Sequence, residues 1–338
     1  MRNRFSNMAL SVVCLALGPT AFAQPPGENK FADPNVKSAQ GSLWVDPEDI
    51  QSRNLLYGAG GKEHQPTGTT FTFVDEDLNG SNPKYNVKDP DGVKWKIKLG
   101  AEAQPETAAS RLLWAVGYFA TEDYFLPSLT VSDLPAHLHR GQNQIGPGGT
   151  MQNARLKRHL KGEEKAGNWS WHDAPFAGTR EWNGLRVMMA LLNNWDLKDS
   201  NNAVYQRGGD KIYLVSDLGA SFGTTGFNPK QDNSKGNLHN YAHSQMIGKI
   251  TSEHVDFNVP SRPNMFIVFN PAEFIPRMDL RWIGKQVPRA DARWMGDLLA
   301  RLSPEQIRDA FRAAGYSPEE TEGFAQVVER RIKELTAL

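Results

Sequence analysis

The chain has 338 residues, with 38 basic and 38 acidic side chains and a formal net charge of zero. Such a balance offers no bulk charge to hold nucleic acid or an anionic membrane surface, so no nucleic-acid partner is expected. The single cysteine, Cys14, rules out a disulfide framework, a thiolate nucleophile and a cysteine-ligated metal in the processed chain.

Residues 1–23 read as a signal peptide. Arg2 and Arg4 form a basic start, Met8 to Leu17 is a short apolar run, and Ala21-Phe-Ala23 is an Ala-x-Ala cleavage site. The apolar run is too short to span a bilayer, and no later stretch is long and apolar enough either. An exported protein without a transmembrane segment, periplasmic or extracellular, is therefore expected. Residues 24–69 are rich in Pro, Gly, Gln, Asn and Lys and read as an extended lead-in. Within them, Gly58-Ala-Gly-Gly61 lacks the Gly-Lys-Ser/Thr ending of a P-loop and reads as a turn.

From Thr70 the chain is strand-like. Phe71-Thr-Phe-Val74 leads into the turn Asp77–Pro83 and then Lys84-Tyr-Asn-Val87, and Asp89-Pro-Asp-Gly92 is a second turn. In Val93–Leu99, Val93, Trp95, Ile97 and Leu99 share one face while Lys94, Lys96 and Lys98 share the other. A three-stranded antiparallel meander is the simplest reading. A helix follows, with Pro105 in its first turn, an apolar stripe of Leu112, Leu113, Ala115 and Val116, and Gly117 at its end. Tyr118 to Val131 is expected to return to the sheet, and residues 132–150 to form a loop.

The next helix starts at the N-cap candidate Thr179, and Trp182, Leu185, Met189 and Leu192 recur at helical spacing, so it should be buried. It delivers the chain to Asn194-Trp-Asp-Leu-Lys-Asp-Ser-Asn201. Ala203-Val-Tyr205 and Ile212-Tyr-Leu-Val215 then form a hairpin around Gly208-Gly209 that ends at Asp217-Leu-Gly219. Residues 220–290 carry many Asn, Gly, Pro and His residues with scattered apolar anchors such as Met265–Phe269. Ser303-Pro-Glu-Gln306 and Ser317-Pro-Glu-Glu320 are capping boxes that open two C-terminal helices. His137 and His139, and His239 and His243, have metal-compatible spacings but lack a His-Glu-x-x-His context.

Asp-x-x-x-x-Asn followed by Asp-x-Gly supplies what phosphoryl transfer needs: a carboxylate for the nucleophile's proton, and an amide and a second carboxylate for magnesium. With the strand meander, helix and buried helix ahead of it, the chain resembles the protein-kinase-like superfamily. It is most similar to the atypical branches, the HipA-type bacterial kinases and the type II phosphatidylinositol 4-kinases, whose catalytic loops share the Asn-x-Asp opening of Asn194-Trp-Asp196. The resemblance implies an α+β, two-lobed fold over residues 70–338. A small antiparallel-sheet N-lobe would span about 70–150 and a mainly helical C-lobe about 151–338, with ATP and Mg²⁺ (or Mn²⁺) between them. It implies Asp196 as the catalytic aspartate, Asn201 and Asp217 as metal ligands, and Lys198 as a cation near the transferring phosphoryl group. Lys98 would contact the α- and β-phosphates, with Lys96 as the fallback; Glu106 would pair with it, with Glu102 as the rival. The loop Asn79–Lys84, with Gly80, Ser81, Asn82 and Lys84, would cover the phosphates. The implied activity is transfer of the γ-phosphoryl group to a hydroxyl-bearing substrate. The alternatives are a non-catalytic kinase-fold binding module and a nucleotidyl transferase. The chain departs from ordinary protein kinases at Trp195, where histidine or arginine is usual, and no Ala-Pro-Glu follows Gly219.

Overall fold

The computed structural model describes residues 41–80, 82–225, 234–259 and 280–338. The expected signal peptide, the first part of the lead-in, Ser81 and the Met265–Phe269 anchor lie outside them. Two hydrophobic cores organise the described residues.

The first core fills a closed five-stranded barrel. Its strands are β1 (Thr70–Glu76), β2 (Lys84–Lys88), β3 (Lys94–Lys98), β4 (Asp123–Ser132) and β5 (Thr150–Arg158), in the order β1-β2-β3-β5-β4. The expected meander forms β1 to β3, all antiparallel. The barrel closes where β1 meets β4 in parallel, pairing Phe71 with Val131. Alternation on β3 sends Trp95 and Ile97 inward, where they meet Tyr85, Val87, Tyr124, Met151, Ala154 and Leu156. The lysines between them point outward. β5 runs past the expected lobe boundary at about 150, and its Met151, Ala154 and Leu156 belong to the barrel core.

Helix α1 (Ala103–Ala115) leaves β3 and packs against the outside of the barrel, while Ala108, Ala109, Leu112 and Leu113 join the second, larger core. Gly117, at φ 97°, ends it: Gly117 N donates to Trp114 O (3.1 Å) and Tyr118 N to Leu113 O (3.2 Å), a Schellman motif.

The larger core is built by α2 (Arg180–Leu191), α3 (Leu238–His243), α4 (Arg289–Leu299), α5 (Pro304–Arg312) and α6 (Pro318–Thr336). Thr179 caps α2 by accepting from Trp182 N, and both serine capping boxes are complete, at Ser303 with Gln306 and at Ser317 with Glu320. A sheet of β6 (Glu163–Gly167), β7 (Asn202–Arg207) and β8 (Asp210–Val215), and another of β9 (Ile247–Ile250), β10 (His254–Phe257) and β11 (Val287–Pro288), flank the helices. No helix among the described residues is long and apolar enough to cross a membrane.

The described part of the lead-in is a strap with its own anchors. Leu43, Ile50 and Leu55 are buried in the larger core, Ser42 bridges Ile212, and Trp44 bridges Tyr118. Gln306 Nε2 donates to the carbonyls of Ile50 (2.9 Å) and Arg53 (2.8 Å). The anchors follow no helical or strand period, so composition alone made the segment read as loose.

Candidate active site

Three local structures bring the expected residues together. The first is the end of β3. Lys98 is the last residue of the strand, and its side chain lies under α1 instead of in solvent, 1% exposed. Its Nζ meets Glu102 Oε2 at 2.5 Å, Glu106 Oε2 at 2.8 Å and Asp217 Oδ1 at 3.0 Å. Glu102 and Glu106, four residues apart, project from one side of the start of α1. The two glutamates weighed as rivals thus both hold the lysine. Lys96 points the same way but ends on Asp77 Oδ2 (2.6 Å), on the β1–β2 side of the barrel.

The second structure is the β7–β8 hairpin. Its loop is Gly208-Gly209, both at positive φ (55° and 95°), closing the pair Arg207–Asp210 in a two-residue turn. The last pair at the open end is Asn202 with Val215, which fixes Asn201 beside the chain leaving β8. The Asn201 carbonyl accepts from Ser216 N (2.7 Å) and Asp217 N (3.1 Å). The spacing of Asn201 and Asp217 in sequence is therefore a consequence of hairpin register.

The third is the loop after α2. Asn193 takes a left-handed conformation (φ 54°), and Asn194 N donates back to Met189 O (3.0 Å). Asn194 Oδ1 accepts from Asp196 N (3.0 Å), and Asn201 Nδ2 donates to the Asp196 carbonyl (2.6 Å). Trp195 is buried, and its backbone N–H donates to Ala220 O (3.3 Å), lashing this loop to the segment after Asp-Leu-Gly. Lys198 Nζ lies 3.4 Å from Asp196 Oδ2. From behind, Arg331 of α6 donates to Ala190 O (3.1 Å) and Leu191 O (2.8 Å), capping the C-terminal end of α2 with a cation.

Gly219 has a steric reason. A Cβ there would lie 2.5 Å from the Cβ of Glu102, so only glycine lets the Asp-Leu-Gly segment touch the start of α1. Gly219 N also donates to Asp217 Oδ1 (3.2 Å).

The electrostatics follow from this packing. Burial pushes the Asp217 carboxyl up, but Lys98 outweighs it, and Asp217 ends well below the usual aspartate range. Glu102 also ends below its usual value: burial raises it, and Lys98, then Lys235, bring it down. Lys98 itself is driven well above the ordinary lysine value, because Glu106, Asp217 and Glu102 together overcome its burial. Lys84 lies opposite Lys98 across the β2–β3 pair, and burial, then repulsion from Lys98, lowers it.

The carboxylates of Glu102, Glu106 and Asp217 bring oxygens within 4.8 Å of one another. The Lys98 ammonium sits among all three, so in this arrangement the trio is a lysine pocket. The fit to a hard cation lies elsewhere. Both side-chain bonds to Asp217 fall on Oδ1, leaving Oδ2, and Asn201 commits its Nδ2 to a carbonyl, leaving Oδ1. Two oxygens of these types suit Mg²⁺ or Mn²⁺.

The β1–β2 loop stands beside this cluster. Gly80 has φ 70°, and its carbonyl accepts from the Arg140 guanidinium; Asn82 Oδ1 lies near Gly100, just past β3. Ser81 is outside the described residues. Of the histidines, His239 and His243 have ring centres 4.3 Å apart with planes tilted by 38°, with His243 Nδ1 2.7 Å from the His239 carbonyl, and His139 Nδ1 lies 3.1 Å from Glu76.

Sequence reading missed two residues of the cluster. Arg155 on β5 donates to Glu106 Oε1 (2.8 Å), and Lys235 pairs with Glu102 while its Nζ stands 5.5 Å from the centre of the Trp195 ring. Neither lies in a recognisable motif. The alternation of Met151, Ala154 and Leu156 is broken by Asn153 at φ 51°, which hides β5 from a strict period-two reading.

No family model matches the chain, and no curated protein does. Among solved structures, it is similar to the proinflammatory kinase CtkA of Helicobacter pylori at 10% identity, with a TM-score of 0.43, over 79% of this chain and 97% of that one. It is also similar to the Golgi casein kinase at 10% identity, with a TM-score of 0.33, over 90% of this chain and 94% of that one. This chain's own element order defines the fold: a sheet lobe whose third strand ends in a lysine paired to a helical glutamate, then a helical lobe carrying Asp-x-x-x-x-Asn, a hairpin and Asp-Leu-Gly. That is an α+β, two-lobed, protein-kinase-like fold.

Proposed function

We propose that this chain is an exported ATP-dependent phosphotransferase that moves the γ-phosphoryl group to a hydroxyl acceptor. The observation that carries the proposal is the junction at Lys98, whose ammonium touches Glu106 of one lobe and Asp217 of the other. Lys98 would bind the α- and β-phosphates, with Glu106 fixing its direction. Lys84 and the backbone around Gly80 and Asn82 would cover the phosphates from the β1–β2 loop. Asp217 and Asn201 would hold Mg²⁺ (or Mn²⁺), which when bound neutralises charge on the phosphates. Asp196 would orient the acceptor hydroxyl and receive its proton as the new oxygen–phosphorus bond forms. The bond from the γ-phosphorus to the β,γ-bridging oxygen breaks, and ADP leaves. Lys198, already beside Asp196, would offset charge on the transferring group.

The test is thermal stability of the full chain titrated with ATP and Mg²⁺ or Mn²⁺. Ligand at one hundred times its dissociation constant adds about 2.7 kcal/mol, and Asp217→Asn should remove the metal-dependent part. Label from the γ-phosphate should reach an acceptor, while label in the adenine should not. Transfer of the adenine label would mean nucleotidyl transfer. Stabilisation with no transfer to any acceptor, water included, would mean a binding module. No stabilisation by ATP at all would end the kinase reading.

A further inference from the structure

Arg155 is, with Glu102 and Lys235, one of the charged groups in this cluster that the proposed chemistry leaves without a task. It lies on β5 directly across the β3–β5 ladder from Lys98, so both side chains emerge from the same outer face. Two cations at one cross-strand pair repel, and Glu106 comes between them. It gives Oε2 to Lys98 and Oε1 to Arg155, each at 2.8 Å. Arg155 is 4% exposed, and its other terminal nitrogen lies 3.5 Å from Asp123 Oδ1, a carboxylate that is itself fully buried. Burial pushes the Glu106 carboxyl up; Arg155 opposes that push first, and Lys98 second. With Arg155 gone, a buried carboxylate would face one cation that is already shared among three acids.

We propose that Arg155 is a positioning residue: it grips the far oxygen of Glu106 so that the near oxygen stays on Lys98 and fixes that ammonium toward the nucleotide phosphates. The inference rests on Lys98 being the nucleotide-binding lysine, yet its central coupling can be measured without nucleotide. The pull of Arg155 on Glu106 and the hold of Glu106 on Lys98 form one chain, so damage at either link should show at Lys98.

The experiment reads Lys98 directly. Full-length wild type, Arg155→Met, Arg155→Lys, Glu106→Gln and the Arg155→Met/Glu106→Gln double variant are treated with acetic anhydride at a single alkaline pH. Acetylation at each lysine is followed by peptide mass spectrometry, with exposed Lys165 as the internal reference. In wild type, Lys98 should stay protected. Arg155→Met should make Lys98 labelling about tenfold faster relative to Lys165, because an ammonium that Glu106 no longer holds in place leaves its buried site more often. Arg155→Lys keeps the charge and should restore most of the protection. The double variant should match Glu106→Gln, because Arg155 acts through that carboxylate. An Arg155→Met labelling rate at Lys98 equal to wild type would overturn the proposal, and so would a double variant whose effects add. If Arg155→Met fails to fold, Arg155→Lys is compared in the wild-type and Glu106→Gln backgrounds, and an equal effect in both overturns it. A wild type that transfers no phosphate would refute the kinase reading and leave this coupling measurable.

Discussion

Replacing Lys98 with methionine should destabilise the protein in a way that depends on pH. Methionine fills similar space, so the loss is electrostatic. Lys98 is 1% exposed and touches three carboxylates. Removing one partner of a buried ion pair costs about 3–5 kcal/mol. Two of the three acids keep another cation, Lys235 for Glu102 and Arg155 for Glu106, and the Asp217 side chain is 31% exposed. The low end, about 3 kcal/mol, is therefore expected, which lowers the melting temperature by roughly 6 °C or more. Glu102 and Asp217 both have carboxyls lowered on folding. Such groups contribute stability that is present above their unfolded pKa, near 4, and lost as pH falls through the folded value. Wild type loses this contribution on acidification, whereas the variant has little of it to lose. Calorimetric melts at pH 7.5 and at about pH 3, below the unfolded carboxylate range, should show the gap narrowing at the lower pH. A gap below about 1 kcal/mol at pH 7.5, or one that widens in acid, would refute the reasoning.

Two further substitutions separate the site from its scaffold. Gly219→Ala places a methyl group 2.5 Å from the Glu102 Cβ, and overpacking of this kind costs about 1–3 kcal/mol. It should push the Asp-Leu-Gly segment from the start of α1 and reduce the metal-dependent ATP shift by more than its effect on the unliganded melt explains. Ser317→Ala removes the N-cap of α6 and should cost about 1 kcal/mol in the melt, with the ATP shift unchanged.

Where the sequence was legible, a local rule and the tertiary structure demanded the same thing. The alternation of β3 was readable because one face fills a barrel, and Ser303 and Ser317 announced their helices because capping is a contact within four residues. The β7–β8 hairpin was readable because Gly208-Gly209 can take the positive φ that its turn requires. What stayed hidden depended on partners distant in sequence. The parallel closure of β1 on β4 leaves no mark on either strand. Lys98 read equally well as one of three solvated lysines, since its burial is imposed by α1 and by a carboxylate 119 residues away. Arg155 gave no signal, because its task exists only once β5 has paired with β3 and Glu106 has come down over both.

The ties on α1 bear on the missing Ala-Pro-Glu. In ordinary kinases, activation-segment phosphorylation and helix position control whether the lysine–glutamate pair forms. Here the helix carrying Glu106 is held from several sides at once. Arg111, on α1, donates to the Asp123 carbonyl of β4 (2.5 Å), and Arg53 of the strap donates to the Trp114 carbonyl near the helix end. Gln104 Nε2 reaches Gly315 O (3.0 Å) in the α5–α6 turn, and Lys235 holds Glu102. Arg155 then fixes Glu106 itself. Rotating α1 outward would break all of these contacts together and separate Arg111 and Glu106 from their barrel partners, leaving Arg155 only Asp123, a change larger than a single phosphorylation supplies through one to three new hydrogen bonds. These static contacts hold the lysine–glutamate pair, so the pair is assembled by folding.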